Sequence, residues 1–309
     1  MVAPARTLAT SDGVLDLGAD VGPLIMGIVN ATPDSFSDAG LHQTLSERVA
    51  LAASQLADGA ALIDVGGESG TTDRPAVDAQ AEIARVVPVI QAIRSQLGAR
   101  VSIDTYKPSV ARAAIDAGAS IVNDVSGLRD PELADVCAQT GAALVLMHTI
   151  APPRTRLHDP TLDGRIVGEV KRFLAQRMRV AQERGVTPEQ LMLDPGPDFS
   201  KTPSQSIEVL ARLEDLHDLG RPLLLAVSRK DFVGALTGRA PRERLGGTLG
   251  AVAHGVRSGA HVLRLHDVAA ARDFLTVEAA LSGRVAVDPG LRVPDRLRWA
   301  RGGSDPGPR

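Results

Sequence analysis

The sequence predicts an α/β protein built as a single (β/α)₈ barrel, on three observations. Short apolar runs alternate with longer amphipathic segments eight times along 309 residues, a pattern that implies parallel strands joined by helical crossovers. Many of the helical segments stop at a glycine before the next strand, as at Gly59, Gly118, Gly141, Gly185 and Gly259, the usual helix-ending signal. The first strand runs into Asn30-Ala31-Thr32-Pro33-Asp34 and lacks the Gly-rich turn that a doubly wound dinucleotide sheet carries at that place.

Taken in order, the strands fall at Leu24–Val29, Ala61–Val65, Val101–Ile103, Ile121–Val122, Ala143–Met147, Leu191–Leu193, Pro222–Val227 and Val262–Leu265. Each is short, apolar and rich in branched residues, as strands buried on both faces are. The helical stretches between and after them are Leu45–Leu56, Ala79–Ser95, Val110–Ala117, Pro131–Gln139, Gly164–Arg184, Ser204–Leu216, Gly247–Ser258 and Ala270–Leu281. Residues 1–20 show no sustained period and read as a tail. Residues 21–288 form the barrel domain, and 289–309 a C-terminal extension, partly disordered, whose end is rich in Gly, Pro and charge.

Composition narrows the function. With 34 basic and 37 acidic residues the net charge is −3, which argues against a nucleic-acid or membrane-surface protein. No apolar run approaches the roughly 18 residues of a membrane-spanning helix. The one cysteine, Cys137, excludes an internal disulfide framework, and the N-terminus lacks a signal-peptide pattern. A cytoplasmic protein is expected. Arginine outnumbers lysine so heavily that the lysines stand out: Lys107, Lys171, Lys201 and Lys230 are the only ones. A lysine kept in such a chain suggests a need for a compact, rotatable ammonium, and Lys230 and Lys201 are singled out.

Barrel chemistry belongs at the C-terminal ends of the strands. Those ends read Asn30, Gly66-Gly67-Glu68-Ser69, Asp104, Asn123-Asp124, Met147-His148, Asp194, Ser228-Arg229-Lys230 and Arg264-Leu265-His266. Any one Asp here is explained as a helix cap; eight polar ends in succession, with Lys and His among them, are not. Asp104, Asn123 and Asp194 suit a flat heterocycle with several N–H donors, and Lys230 suits its carbonyl, a set that fits a pterin edge. Arg264 and His266, two apart, face one side and suit an anion. Asn30 offers an oxygen to Mg²⁺ shared with phosphates. The residues describe a site for a heterocycle bearing a phosphate or diphosphate.

Met26-Gly27-Ile28-Val29-Asn30-Ala31-Thr32-Pro33-Asp34-Ser35-Phe36-Ser37-Asp38 resembles the first signature of the dihydropteroate synthase family. The resemblance continues in order through Asp64-Val65-Gly66-Gly67-Glu68-Ser69, Ser102-Ile103-Asp104-Thr105, Val122-Asn123-Asp124-Val125-Ser126-Gly127, Asp194-Pro195-Gly196, Ser228-Arg229-Lys230 and Arg264-Leu265-His266-Asp267-Val268. It implies a (β/α)₈ enzyme of folate synthesis that joins 4-aminobenzoate to a dihydropterin-methyl diphosphate, with Mg²⁺ as cofactor. Asp104, Asn123, Asp194 and Lys230 would hold the pterin; Arg264, His266 and, through Mg²⁺, Asn30 would hold the diphosphate. The resemblance implies that Asp104, Lys230, Arg264 and His266 are the catalytic set. Ser228 and Met147 are expected to line the substrate site, Phe36 and Phe199 to enclose it, and Arg74 to reach its anionic end. A homodimer is implied by the resemblance alone.

The chain departs from the family in two loops. Three residues are inserted before Arg74-Pro75, and the sixth motif reads Asp194-Pro195-Gly196-Pro197-Asp198-Phe199-Ser200-Lys201, with Asp198 and Ser200 in place of glycines. Ser206 replaces an asparagine. A carboxylate beside two anionic substrates would oppose them, unless Asp198 pairs with Arg74 or Lys201. Three readings follow: a synthase with altered loops, a pterin-binding relative or partner protein without that activity, and a pterin-dependent methyltransferase. The Arg-x-His pair speaks against the last, since a methyl-folate has no diphosphate to hold. His148 reads equally as a ligand donor or a core histidine.

Overall fold

A computed structural model describes residues 6–18, 22–32, 44–68, 76–155 and 157–298. A hairpin comes first, β1 (Thr7–Thr10) and β2 (Gly13–Asp16). The barrel strands follow: β3 (Leu24–Asn30), β4 (Leu62–Gly66), β5 (Arg100–Asp104), β6 (Ile121–Asp124), β7 (Ala143–Met147), β8 (Leu191–Asp194), β9 (Leu224–Leu225) and β10 (Val262–Leu265). Between them run α1 (Leu45–Ala57), α2 (Ala79–Ala92), α3 (Pro108–Asp116), α4 (Glu132–Thr140), α5 (Ile166–Glu183), α6 (Pro203–Ala211), α7 (Asp231–Thr237) and α8 (Leu245–Arg257), with α9 (Val268–Leu281) last.

All eight predicted strands are present and pair in parallel in the order β8-β7-β6-β5-β4-β3-β10-β9. The ring closes through a single parallel bridge, Leu193 to Leu223. Local chemistry starts the helices where they begin. Thr44 and Glu47 form a reciprocal cap for α1, Thr202 and Gln205 one for α6, and Asp78 caps α2, each satisfying amides that a helix leaves unpaired.

Alternation along each strand sorts two cores. Residues pointing outward, such as Ile25, Ile63, Val101, Val122, Leu144, Leu193 and Leu263, pack under the helices. Residues pointing inward near the strand starts form a second cluster: Met26, Leu62, Ile121, Val145, Met192, Leu224 and Val262. Leu8, Leu15 and Leu17 complete that cluster from below. The expected N-terminal tail is thus corrected: residues 7–16 form a hairpin whose leucines plug the barrel floor. Asp12 at its tip lies 2.9 Å from Arg100 Nε and 3.3 Å from Arg94 Nη1. Two four-residue strands carry too little period to be recognised alone, and burial against the barrel is what makes them stable.

Two further differences concern the last third. The expected strand at Pro222–Val227 shortens to Leu224–Leu225. A seven-residue helix, α7, lies between the expected strand and the expected helix Gly247–Ser258, and it buries Phe232.

Candidate active site at the C-terminal mouth

Strand register brings the predicted residues to one level. Asn30 pairs with Gly66, Gly66 with Asp104 and Asp104 with Asn123, so neighbouring strands deliver an amide, a bare backbone, a carboxylate and an amide. A Cβ on Gly66 would stand 3.9 Å from both Asn30 Oδ1 and Asp104 Oδ2. Those two oxygens therefore converge over a glycine.

Arg264 enters from β10 and ties the layer together. Its Nη2 donates to Asp104 Oδ2 at 2.8 Å and its Nε to Asp64 Oδ2 at 2.6 Å. Asn123 Nδ2 donates to the same Asp64 oxygen at 3.1 Å. Asp64 is fully buried, and its Oδ1 and that of Asn123 are buried without a hydrogen-bond partner among the described residues. Burial pushes Asp104 up to about 7; Arg264 opposes this, while Asp64, Glu82 and Asp124 add to it. Burial works against the Arg264 charge too, but Asp64 and Asp104 outweigh it and hold the guanidinium above its usual range.

A second group sits across the mouth. Asp194 Oδ1 accepts from the Gly196 amide at 2.7 Å, and burial raises the carboxyl. Lys230 Nζ lies 4.3 Å from the centroid of the Phe199 ring, a cation–π contact. Burial pushes its ammonium down, with Asp198 and Asp194 resisting. The Ser228 hydroxyl lies 2.9 Å from His266 Nδ1 and accepts from the His266 amide at 3.1 Å, fixing the ring. Arg264 and His266 thus have separate partners, the one among carboxylates and the other on Ser228. Met147 ends β7 buried. Phe36 and Arg74 lie outside the described residues.

Residues 26–266 match the pterin binding enzyme family. The dihydropteroate synthase of Escherichia coli (strain K12) is 39% identical over 263 residues, 85% of this chain and 93% of that one. The chain belongs to the dihydropteroate synthase family. That of Bacillus subtilis (strain 168) is 41% identical over 246 residues, 79% of this chain and 84% of the relative. The Xanthomonas albilineans dihydropteroate synthase solved with 4-aminobenzoic acid superposes with a TM-score of 0.82 at 40% identity, over 92% of this chain and 100% of that one. Members of the dihydropteroate synthase family are transferases of folate biosynthesis, and this chain is one of them.

Against that family pattern, the sequence reading missed Asp64, whose signal was present: a lone carboxylate in the apolar run Leu62–Gly66, on the inward-facing side. It also missed the Glu68 cluster. Glu68 takes Lys107 Nζ at 2.5 Å, Tyr106 Oη at 3.1 Å, Arg154 Nη1 at 3.1 Å and the Val77 amide at 3.3 Å, joining three βα loops at their bases.

Lys201, singled out from its rarity, is buried and held by His148 Nδ1 at 2.7 Å and the Gly196 carbonyl at 2.8 Å. Burial pushes it down to about 7. His148 is fully buried and contacts the Phe173 ring edge-on at 4.9 Å, the core alternative. Cys137 lies buried in α4 with its thiol pushed up by burial, far from nucleophile behaviour.

The two replaced glycines are also resolved. Asp198 has φ 68 and Ser200 φ 52, so the glycine-like backbone is kept. Ser200 Oγ lies 3.0 Å from Thr149 Oγ1 and accepts from the Ala151 amide at 3.1 Å. Among the described residues Asp198 makes no ion pair with Lys201, and the other expected cation, Arg74, lies outside them; its carboxylate accepts from the Asp231 and Phe232 amides and from Ser206 Oγ.

Proposed function

We infer that the chain condenses 4-aminobenzoate with (7,8-dihydropterin-6-yl)methyl diphosphate, forming 7,8-dihydropteroate and releasing diphosphate. The observation that carries this reading is the layer of Asp64, Asp104, Asn123 and Arg264, with two buried acceptor oxygens unpaired. A buried polar atom without a partner is costly, and a pterin edge with several N–H donors answers that cost. The Xanthomonas albilineans relative solved with 7,8-dihydropteroate, 41% identical with a TM-score of 0.77, supports it.

As the methylene–oxygen bond lengthens, positive charge spreads into the pterin and negative charge gathers on the diphosphate. Asp104 stabilises the first, and its poise near neutrality means that a cationic ring draws it into the ionised form. His266, oriented by Ser228, and Arg264 at the same strand end answer the second. Asp194, Lys230 and Phe199 hold the ring so that the aminobenzoate amine meets the methylene carbon, and positioning does much of the rest. From the family resemblance we propose that Phe36 helps to enclose the substrates and that Arg74 meets their anionic end.

The donor set fits Mg²⁺ arriving with its substrate. Among the described residues no group of three His, Cys, Asp or Glu side chains could hold a metal, whereas Asn30 Oδ1 and an Asp104 oxygen flank one point over Gly66. Asn30 would hold the ion, which supplies charge neutralisation to the diphosphate when bound.

A second copy of the chain is the proposed partner. An apolar groove of about 340 Å³ between α6, α7 and α8, lined by Ile207, Leu210, Val233, Leu236 and Ala251, supports a homodimer, which sizing in solution reads directly. No helix among the described residues is long and apolar enough to cross a membrane, and we read the compartment as the cytoplasm.

Diphosphate release with Mg²⁺, measured with and without 4-aminobenzoate, tests the function. Release that needs the amine and is lost in Asp104→Asn is the expected result. Pterin binding with no release would favour the relative that binds without turning over.

A further inference from the structure

The geometry points to Asp198 as the positioning residue for Lys230: a carboxylate from the loop after β8 caps α7 from outside and fixes the residue that begins it. This rests on the synthase reading only for what Lys230 binds.

Lys230 is the N-cap residue of α7 and its side chain makes no cap, since an ammonium has no acceptor to offer the first amides. Asp198 supplies what is missing. Its Oδ2 accepts from the Asp231 amide at 2.5 Å and its Oδ1 from the Phe232 amide at 3.3 Å. Asp198 is itself anchored. Its own amide donates to Ser206 Oγ at 2.9 Å, and that hydroxyl donates to Oδ1 at 3.1 Å. Ser206 is fully buried in α6, so the cap is tied to a rigid element.

Arg244 grips the other side of the same turn. Its Nη1 donates to the Arg229 carbonyl at 2.9 Å and to the Lys230 carbonyl at 3.1 Å. The Lys230 backbone is therefore held through its carbonyl by Arg244 and through the next two amides by Asp198. The adjoining residue, Phe199, places its ring under the Lys230 ammonium. The dipeptide Asp198-Phe199 thus sets both the backbone and the charged tip of Lys230. Asp198, Asp194 and Asp231 favour that charge, with Asp198 the strongest of the three, while Arg264 and the neighbouring Lys201 oppose it. The negative charge of Asp198 at the mouth is spent on these partners, which is how the chain tolerates it beside anionic substrates.

Asp198→Gly isolates the carboxylate, because glycine adopts φ 68 freely. Asp198→Asn, which keeps one acceptor oxygen, is the second variant. In the full chain labelled with [¹³C]lysine there are four lysine signals to resolve, Lys107, Lys171, Lys201 and Lys230, and Lys230→Arg identifies the fourth by its loss. Without any ligand, Asp198→Gly is expected to lower the Lys230 titration midpoint by about half a pH unit or more, with Asp198→Asn between it and the parent. In turnover, Asp198→Gly should raise KM for the pterin diphosphate about tenfold while kcat changes by less than about threefold. A midpoint that stays put overturns the inference, as does a KM change confined to 4-aminobenzoate. A parent protein that titrates as described yet turns nothing over would overturn the synthase reading and leave Asp198 in its role.

Discussion

The floor and the mouth of this barrel are lined by the same eight strands with the same alternation, yet they are made of opposite materials. At the floor, Leu8, Leu15 and Leu17 of the hairpin meet Met26, Leu62, Met192 and Val262, all buried. Leaving water is favourable for each, at roughly 1.5–3 kcal/mol per large apolar side chain. At the mouth, Asp104, Asp194, Lys201 and Lys230 are packed where burial opposes charge, and Asp104 and Lys201 have both been driven to about 7 from opposite directions. The lesson is a division of labour along one axis: the floor stabilises, and the mouth holds groups that resist their surroundings until a ligand satisfies them.

The sharpest way to break that comparison is at the floor. Leu8→Ala should destabilise the fold by about 3 kcal/mol, the usual scale for a buried leucine, and leave the Michaelis constants of the surviving folded protein unchanged. Denaturant unfolding alongside steady-state kinetics reads both, and an altered KM would mean the two ends communicate. The mirror experiment is Lys230→Ala, expected to weaken binding of pteroate by roughly a hundredfold, the scale of a lost charged hydrogen bond, with little loss of melting temperature. Calorimetry showing intact affinity would remove Lys230 from the site.

A smaller effect sharpens the picture through pH. Asp104 titrates near 7 when folded against 3.8 when unfolded. The folded state therefore keeps a proton that the unfolded chain releases, and stability falls as pH rises from about 4 to about 7. Lys201 titrates near 7 when folded against 10.5. Here the unfolded chain holds the extra proton, so stability is regained as pH rises from about 7 to about 10.5. These two groups thus produce a stability minimum near neutrality. Difference melting curves should show Asp104→Asn removing the acid-side fall and Lys201→Met the alkaline-side rise; curves parallel to the parent would contradict the scheme.

What the sequence made legible follows from how far each signal travels. The strands were readable because their pattern is local: eight apolar runs, each followed by an amphipathic one. The set Asp104, Asn123, Asp194, Lys230 and Arg264 was readable because barrel strands end at one rim. The hairpin was hidden because Thr7–Thr10 and Gly13–Asp16 become strands only by covering a floor assembled from residues far along the chain. Asp198 was misjudged for a related reason. Besides Ser206 Oγ, its partners lie 33 and 34 residues away and are backbone amides, which leave no trace in side-chain identity. Asp64 was in plain view, a charge inside an apolar strand, and its use became clear only when Arg264, 200 residues later, was seen to reach it.

One joint in the ring gives these loops a mechanical meaning. β7 and β8 are registered over four residue pairs, whereas β8 meets β9 through one bridge, and β9 is itself two residues long. The hoop is thinnest there. The loops that leave the strands on either side of that thin place carry Phe199 and Lys230, whose ring centroid and ammonium lie 4.3 Å apart. The carboxylate of Asp198, in the loop after β8, accepts from the Asp231 and Phe232 amides beyond β9 and so buckles the two sides of the joint together.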